Sequence, residues 1–191
     1  MTVIQPVNVP QPVKLTIEQF RMLDDSGAFD GYAKTELIEG AIYAMNAQYA
    51  AHAVAKSRLA RRLGNALEQL GAELDAVVEG TVEMPPASAP EPDIALARVA
   101  PGERSYIALS AVALVVEVSD ASVAFDLKDK AQLYSGQGVP EYWVLDLNSS
   151  QLHQFWEPSP AGYGEGRTLP VGGSFQSVTI PGLAVESDGL I

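Results

Sequence analysis

Residues 112–118 read VALVVEV, the most apolar run in the chain. The segment is short, rich in β-branched side chains and uninterrupted, which marks a central strand buried on both faces. One residue departs from that pattern: Glu117, in the context VVEVSD. A carboxylate at the end of a buried strand should be neutral, paired or metal-bound, because an isolated charge in an apolar interior is costly.

Downstream of this strand, Ser122 to about Ser135 reads as a helix, with Phe125, Leu127, Ala131, Leu133 and Tyr134 as its apolar contacts and Gly136 and Gly138 at its end. The next run, EYWVLDL at 141–147, is a second buried strand, with Tyr142 and Trp143 in the core. A strand–helix–strand unit favours parallel pairing through a right-handed crossover. The tail, 151–191, holds alternating segments such as QLHQFW and FQSVTI between Gly and Pro, read as antiparallel strands that extend the sheet or cover an edge.

Upstream, DIALA at 93–97 is a short strand fed by the proline-rich connection PPASAPEP at 85–92, which fits neither a helix nor a central strand. Strands are expected at about 74–79 and 81–84. Tyr49 to Leu70 is a long helix whose stripe is Leu59, Leu63, Leu67 and Leu70, with Gly71 closing it. ELIEGAIYAM at 36–45 is a hairpin with Glu39-Gly40 at the turn. Thr16 and Gln19 have capping-box spacing, so a short helix should run to about Asp25, with Gly27 ending it. Residues 1–15 read as an extended arm and 16–191 as a single domain. The class is α/β: a mixed central sheet flanked by helices, with extra antiparallel strands towards both ends.

Composition narrows the chemistry. With no cysteine, disulfides, thiol catalysis and thiolate metal sites are excluded, and any metal must be held by oxygen or by His52 or His153. No apolar run approaches the roughly 20 residues needed to span a bilayer, and the N-terminus lacks a basic start followed by an apolar block, so the cytoplasm is the expected compartment. The net charge is −12, from 24 acidic and 12 basic residues, which argues against a general nucleic-acid binder. The basic side chains Lys56, Arg58, Arg61 and Arg62 share the long helix and are the candidate DNA-facing strip; the alternative is an ordinary solvated helix face.

Asp93 opens its strand at a sheet rim. If that strand neighbours 112–118, Asp93 and Glu117 can meet and hold one hard divalent cation, Mg²⁺ or Mn²⁺, which tolerates one or two protein carboxylates and keeps several waters. Such an ion polarises a phosphoryl oxygen and acidifies bound water. The bland readings are a capping aspartate and a carboxylate at the wet end of its strand or paired with an arginine. Lys130 follows Asp126 at i,i+4; the two form a surface ion pair, or Lys130 reaches over the end of the central strand and serves phosphate chemistry. GQG at 136–138 lacks the P-loop pattern, and Ser119 and Ser122 lie in no G-x-S-x-G elbow.

ELIEG (36–40), His52 opening a helix, EPDIAL (91–96), LVVEVSDAS (114–122), Asp126 with Lys130 and Tyr134, and GVPEYWVLD (138–146) occur in the order found in the Uma-type restriction endonucleases. Over roughly residues 16 to 165 the chain resembles that family, which lies within the PD-(D/E)XK nuclease superfamily. The resemblance implies a restriction-endonuclease-like core and a Mg²⁺-dependent phosphodiesterase site. It makes Asp93 the aspartate of the PD motif, after Pro92, and Glu117 the acid of the E-X-K motif. Residue 119 is Ser where the superfamily has Lys, and the resemblance makes Lys130 the substitute. Glu36 corresponds to the hairpin glutamate and can add a carboxylate; His52 is either a hydrogen-bonded histidine at a helix start or a phosphate-facing group. Asp126, Tyr134 and Ser119 are expected around the metal-binding pair. The implied function is a metal-dependent DNA endonuclease. The acidic net charge makes weak, salt-sensitive DNA affinity the expectation, and the two-fold symmetry of duplex DNA points to a homodimer or higher homo-oligomer. The alternatives are a catalytically idle binding or assembly module on the same fold, and a metal-dependent hydrolase acting on something smaller than DNA. The cluster of carboxylates is expected to repel itself without a bound cation.

Overall fold

The computed structural model describes residues 10–45, 47–100, 102 and 105–191. Most of the expected arm, residues 1–9, therefore lies outside the described residues. Within them, Leu15 N–H donates to Gly40 O at 2.9 Å.

Helix α1 spans Ile17–Asp25 and carries the full capping box: Thr16 Oγ1 accepts from Gln19 N–H while Gln19 Oε1 accepts from Thr16 N–H. Strands β1 (Lys34–Ile38) and β2 (Ala41–Met45) form the hairpin, with Glu39 and Gly40 at φ 49° and 80°. Two successive positive φ values are the backbone of the hairpin turn whose twist matches its strands. A Cβ at position 40 would sit 2.6 Å from Lys14 Cβ, so this turn also needs glycine for space.

Helix α2 (Ala50–Leu70) ends at Gly71 in the left-handed conformation. Its buried stripe is His52, Ala55, Lys56, Leu59, Ala60, Leu63 and Leu67. Leu70, expected to continue the stripe, is exposed. Strands β3 (Asp75–Val78), β4 (Val82–Glu83), β5 (Ile94–Ala97) and β6 (Ile107–Ala108) lead to β7 (Val112–Ser119).

The six-stranded sheet has the order β10-β9-β8-β7-β5-β3, with β8 at Glu141–Asp146, β9 at Gln151–Ser159 and β10 at Gly162–Pro170. Strand β7 is central, parallel to β8 and antiparallel to β5. The period of two divides its side chains. Leu114, Val116 and Val118 join Trp143, Leu145 and the stripe of α2 in one core; Val115 joins Tyr142, Val144, Leu133 and Tyr134 in a second core on the other face. The sheet is thus covered on both sides, as the uninterrupted apolar run requires.

The segment after β7 is not one regular helix. Helices α3 (Val123–Phe125) and α4 (Ala131–Gly136) flank a π-helical turn at Asp126–Lys130, in which Ala131 N–H reaches back five residues to Asp126 O. Such wide turns occur frequently at functional sites.

Strands β11 (Ser174–Gln176) and β12 (Ala184–Glu186) form a small separate sheet. The chain after β11 is tied to the main sheet by Glu141, which is fully buried on β8. Its carboxylate accepts from Trp143 Nε1–H (2.6 Å), Ser177 Oγ–H (2.6 Å), Val178 N–H (3.0 Å), Thr179 N–H (2.9 Å) and Thr179 Oγ1–H (2.8 Å). Glu141→Ala would leave the buried Trp143 Nε1–H and the donors of the partly buried hydrogen bonds from Ser177, Val178 and Thr179 without this acceptor, at a cost of about 3 kcal/mol. Its urea midpoint should fall accordingly; a midpoint equal to wild type would contradict this role.

Candidate active site

The register of β5 against β7 continues from Ile94 opposite Val116, so Asp93 falls beside Glu117. The two are cross-linked through the backbone: Val118 N–H donates to Asp93 Oδ2 at 2.9 Å, and Asp93 N–H to Glu117 Oε2 at 3.3 Å. Both carboxylates are buried and line one cavity of about 630 Å³.

Lys130 comes from the π-helical turn. It does not pair on the surface with Asp126; its side chain is 2% exposed. Its ammonium lies 2.8 Å from Glu117 Oε1 and 3.1 Å from Glu36 Oε2. Asp126 is buried one turn earlier and accepts from Ser119 Oγ–H (2.7 Å) and Ser122 Oγ–H (2.6 Å). Tyr134 is more than packing, because its hydroxyl donates to Glu117 Oε1 at 2.9 Å. Glu36 is fully buried on β1 and accepts from Glu91 N–H at 3.1 Å. On α2, His52 Nε2 lies 2.5 Å from Val118 O and 3.3 Å from Asp93 Oδ2. Asp93, His52, Asp126, Lys130 and Tyr134 thus each bond a residue at the end of β7, and Glu36 joins them through Lys130.

The expected basic strip divides. Lys56 is buried and turned into the site: its ammonium is 2.5 Å from Glu79 Oε1, 2.6 Å from Gln48 Oε1 and 3.4 Å from Asp93 Oδ1. Arg62 donates to the Glu186 and Asp188 carbonyls, and Arg58 donates to Gly189 O at 2.8 Å, so both hold the C-terminal tail. Arg61 is exposed. Four basic residues close in sequence thus serve different faces of one helix. Lys56 lies four residues after His52, a spacing that already places the pair on one face.

Three further members carry weaker signals. Lys34 lies two residues before Glu36, on the same side of β1 by strand alternation, and its ammonium is 3.4 Å from Glu36 Oε1 and 3.7 Å from Glu91 Oε1. Gln48 donates to Asp93 Oδ1 at 3.2 Å from a loop with no periodic pattern. Glu79 reaches Lys56 from a left-handed position, φ 53°.

The electrostatics follow from burial and neighbours. Burial, reinforced by Asp126, Asp93 and Glu36 against the pull of Lys130, raises Glu117 to about 7. Burial also pushes Asp93 up, but the His52 hydrogen bond and charge, the Val118 amide and Lys34 outweigh it and hold that carboxyl low. Burial pushes Lys130 down, but Glu117, Glu36 and Asp126 outweigh it and hold the ammonium well above the ordinary lysine value. Lys34, Lys56, Lys130 and His52 lie among these carboxylates and offset part of the repulsion expected between them.

The sequence profile of Uma2, described as "Putative restriction endonuclease", matches residues 17–186. The chain belongs to the Uma2 family. A solved structure from Anabaena variabilis ATCC 29413, described as a putative nuclease belonging to DUF820, superposes with a TM-score of 0.59 at 15% identity, covering 85% of this chain and 89% of that one. At that identity the likeness establishes the shared fold, a mixed α/β nuclease-like core. No curated protein matches the chain. Among the described residues, no helix is long and apolar enough to cross a membrane.

Lys130→Met would leave Glu117 and Glu36 buried without their shared cation, at a cost of about 3–5 kcal/mol. Adding Glu36→Gln should cost less than the sum of the single changes, because the two groups interact directly. Urea denaturation of the four proteins reads this coupling; strict additivity would contradict it.

Proposed function

We propose that this Uma2 protein is a Mg²⁺- or Mn²⁺-dependent DNA endonuclease that hydrolyses phosphodiester bonds at the cavity containing Asp93 and Glu117. The observation that carries the reading is the convergence of β5, β7 and the π-helical turn, which sets two neighbouring carboxylates against one buried ammonium at a cavity wall.

The donor set fits a hard, largely hydrated cation. Among the described residues there is no group of three or more His, Asp or Glu arranged to hold a metal ion. Mg²⁺ accepts one or two carboxylates and fills its remaining positions with water and substrate oxygen. Asp93 and Glu117 are the groups that would hold it. Burial, with Asp126, Asp93 and Glu36 nearby, raises Glu117, and a divalent cation beside it would favour its charged form. When bound, the metal supplies charge stabilisation at phosphoryl oxygen and an acidified water.

The remaining residues position these two. His52 and the Val118 amide fix Asp93 Oδ2, while Lys130 and Tyr134 both hold Glu117 Oε1. Because Lys130 already contacts Glu117 and Glu36, it acts by orienting Glu117 and balancing its charge. Ser119, Ser122 and Asp126 brace the turn that delivers Lys130.

The idle-module alternative draws on the net charge of −12 and on the lysines that already neutralise the carboxylates. Plasmid incubated with Mn²⁺ separates the two readings. Wild type should nick or cut it, and Asp93→Ala or Glu117→Gln should lower the rate by about 100-fold or more. Equal rates for wild type and Asp93→Ala would refute the assignment, and absence of cleavage by folded wild type across DNA substrates would favour the module.

A further inference from the structure

Building on the nuclease reading, we propose that the cavity takes an unpaired DNA strand, with a nucleobase stacked on Tyr49. Tyr49 is the N-cap residue of α2; its side chain makes no capping bond, is 76% exposed, and lines the same cavity as Asp93 and Glu117. The same cavity is also lined by Ala33, Ala44, Met45 and Ala47. An exposed aromatic ring lining a cavity offers a face to any base, and such stacking contributes about 1–3 kcal/mol per base without hydrogen-bond readout.

The charge of the wall favours an unpaired strand over a duplex. Glu79, Asp93, Glu117, Asp120 and Asp126 line it, against Lys34, Lys130 and His52, each of which already faces a carboxylate of the cluster. Duplex DNA presents a dense, rigid array of phosphates that must be neutralised by Lys or Arg. Arg58 and Arg62, on the helix that opens at Tyr49, hold the C-terminal tail instead. A flexible strand can bring one phosphate to the carboxylate pair, turn its other phosphates towards solvent and gain affinity through its bases. A volume of about 630 Å³ suits a nucleotide-sized ligand.

The test uses the full chain and labelled oligonucleotides of equal length: a single strand, a fully paired duplex, and a duplex with one unpaired nucleotide. Cleavage is followed with Mn²⁺, and binding by fluorescence anisotropy with Ca²⁺ in its place. The single strand and the interrupted duplex should be cut about tenfold faster, as kcat/KM, than the paired duplex. Tyr49→Ala should raise KM and Kd for the single strand about tenfold with a smaller effect on kcat, while Tyr49→Trp should restore both. Preferential cutting of the paired duplex, or single-strand affinity indifferent to Tyr49→Ala, would overturn the inference. Tyr49-dependent strand binding without cleavage of any substrate would instead overturn the nuclease reading and support this one.

Discussion

The arrangement rests on one electrostatic constraint: a carboxylate at the end of the central strand, enclosed by apolar neighbours, must find compensation. Glu117 is 3% exposed on a strand whose other buried residues, Ser119 apart, are aliphatic. Lys130 supplies the countercharge at 2.8 Å, and to do so it is itself almost wholly enclosed. That enclosure draws in Glu36 from the hairpin, and Lys34 beside it. On the opposite side Asp93 is held by His52 and Lys56 from α2. Hairpin, sheet and both helical segments therefore meet through one polar cluster. Such clusters contribute little net stability compared with an apolar core of the same volume, since desolvation offsets much of the attraction. Their retention here fits a site that needs charge in place.

Much of the frame was legible because local rules determine it. The β-branched run 112–118 does form the central strand, and EYWVLDL does lie parallel beside it. The capping box at Thr16 and the Glu39-Gly40 turn are single-turn interactions that need no tertiary information. The buried helix stripe stops at Leu67, one leucine short of its sequence periodicity, because Leu70 adjoins the closing glycine and is exposed. The antiparallel approach of β5 brings Asp93 to Glu117, and only tertiary structure could show that the two strands are neighbours.

The site was legible in part. Sequence proximity grouped Lys56 with Arg58, Arg61 and Arg62, although helical spacing already aligned it with His52 and Leu59. Strand alternation linked Lys34 to Glu36 in the same way. The π-helical turn had no sequence signature. It depends on Asp126 finding Ser119 and Ser122 while Lys130, four residues later, finds Glu117, and these demands are met together only in the folded chain. The contacts of Glu91 and Gln48 join segments more than 40 residues apart, beyond the reach of any periodicity.

The proposed function turns on whether the two carboxylates joined by the β5–β7 register would hold a common divalent ion. The direct measurement is a crystal of this protein soaked in Mn²⁺ and examined by anomalous scattering. The account predicts a peak bridging the side-chain oxygens of Asp93 and Glu117 that disappears in Asp93→Asn crystals. A fully soaked crystal with no peak there, or with manganese bound only elsewhere on the protein, would contradict it.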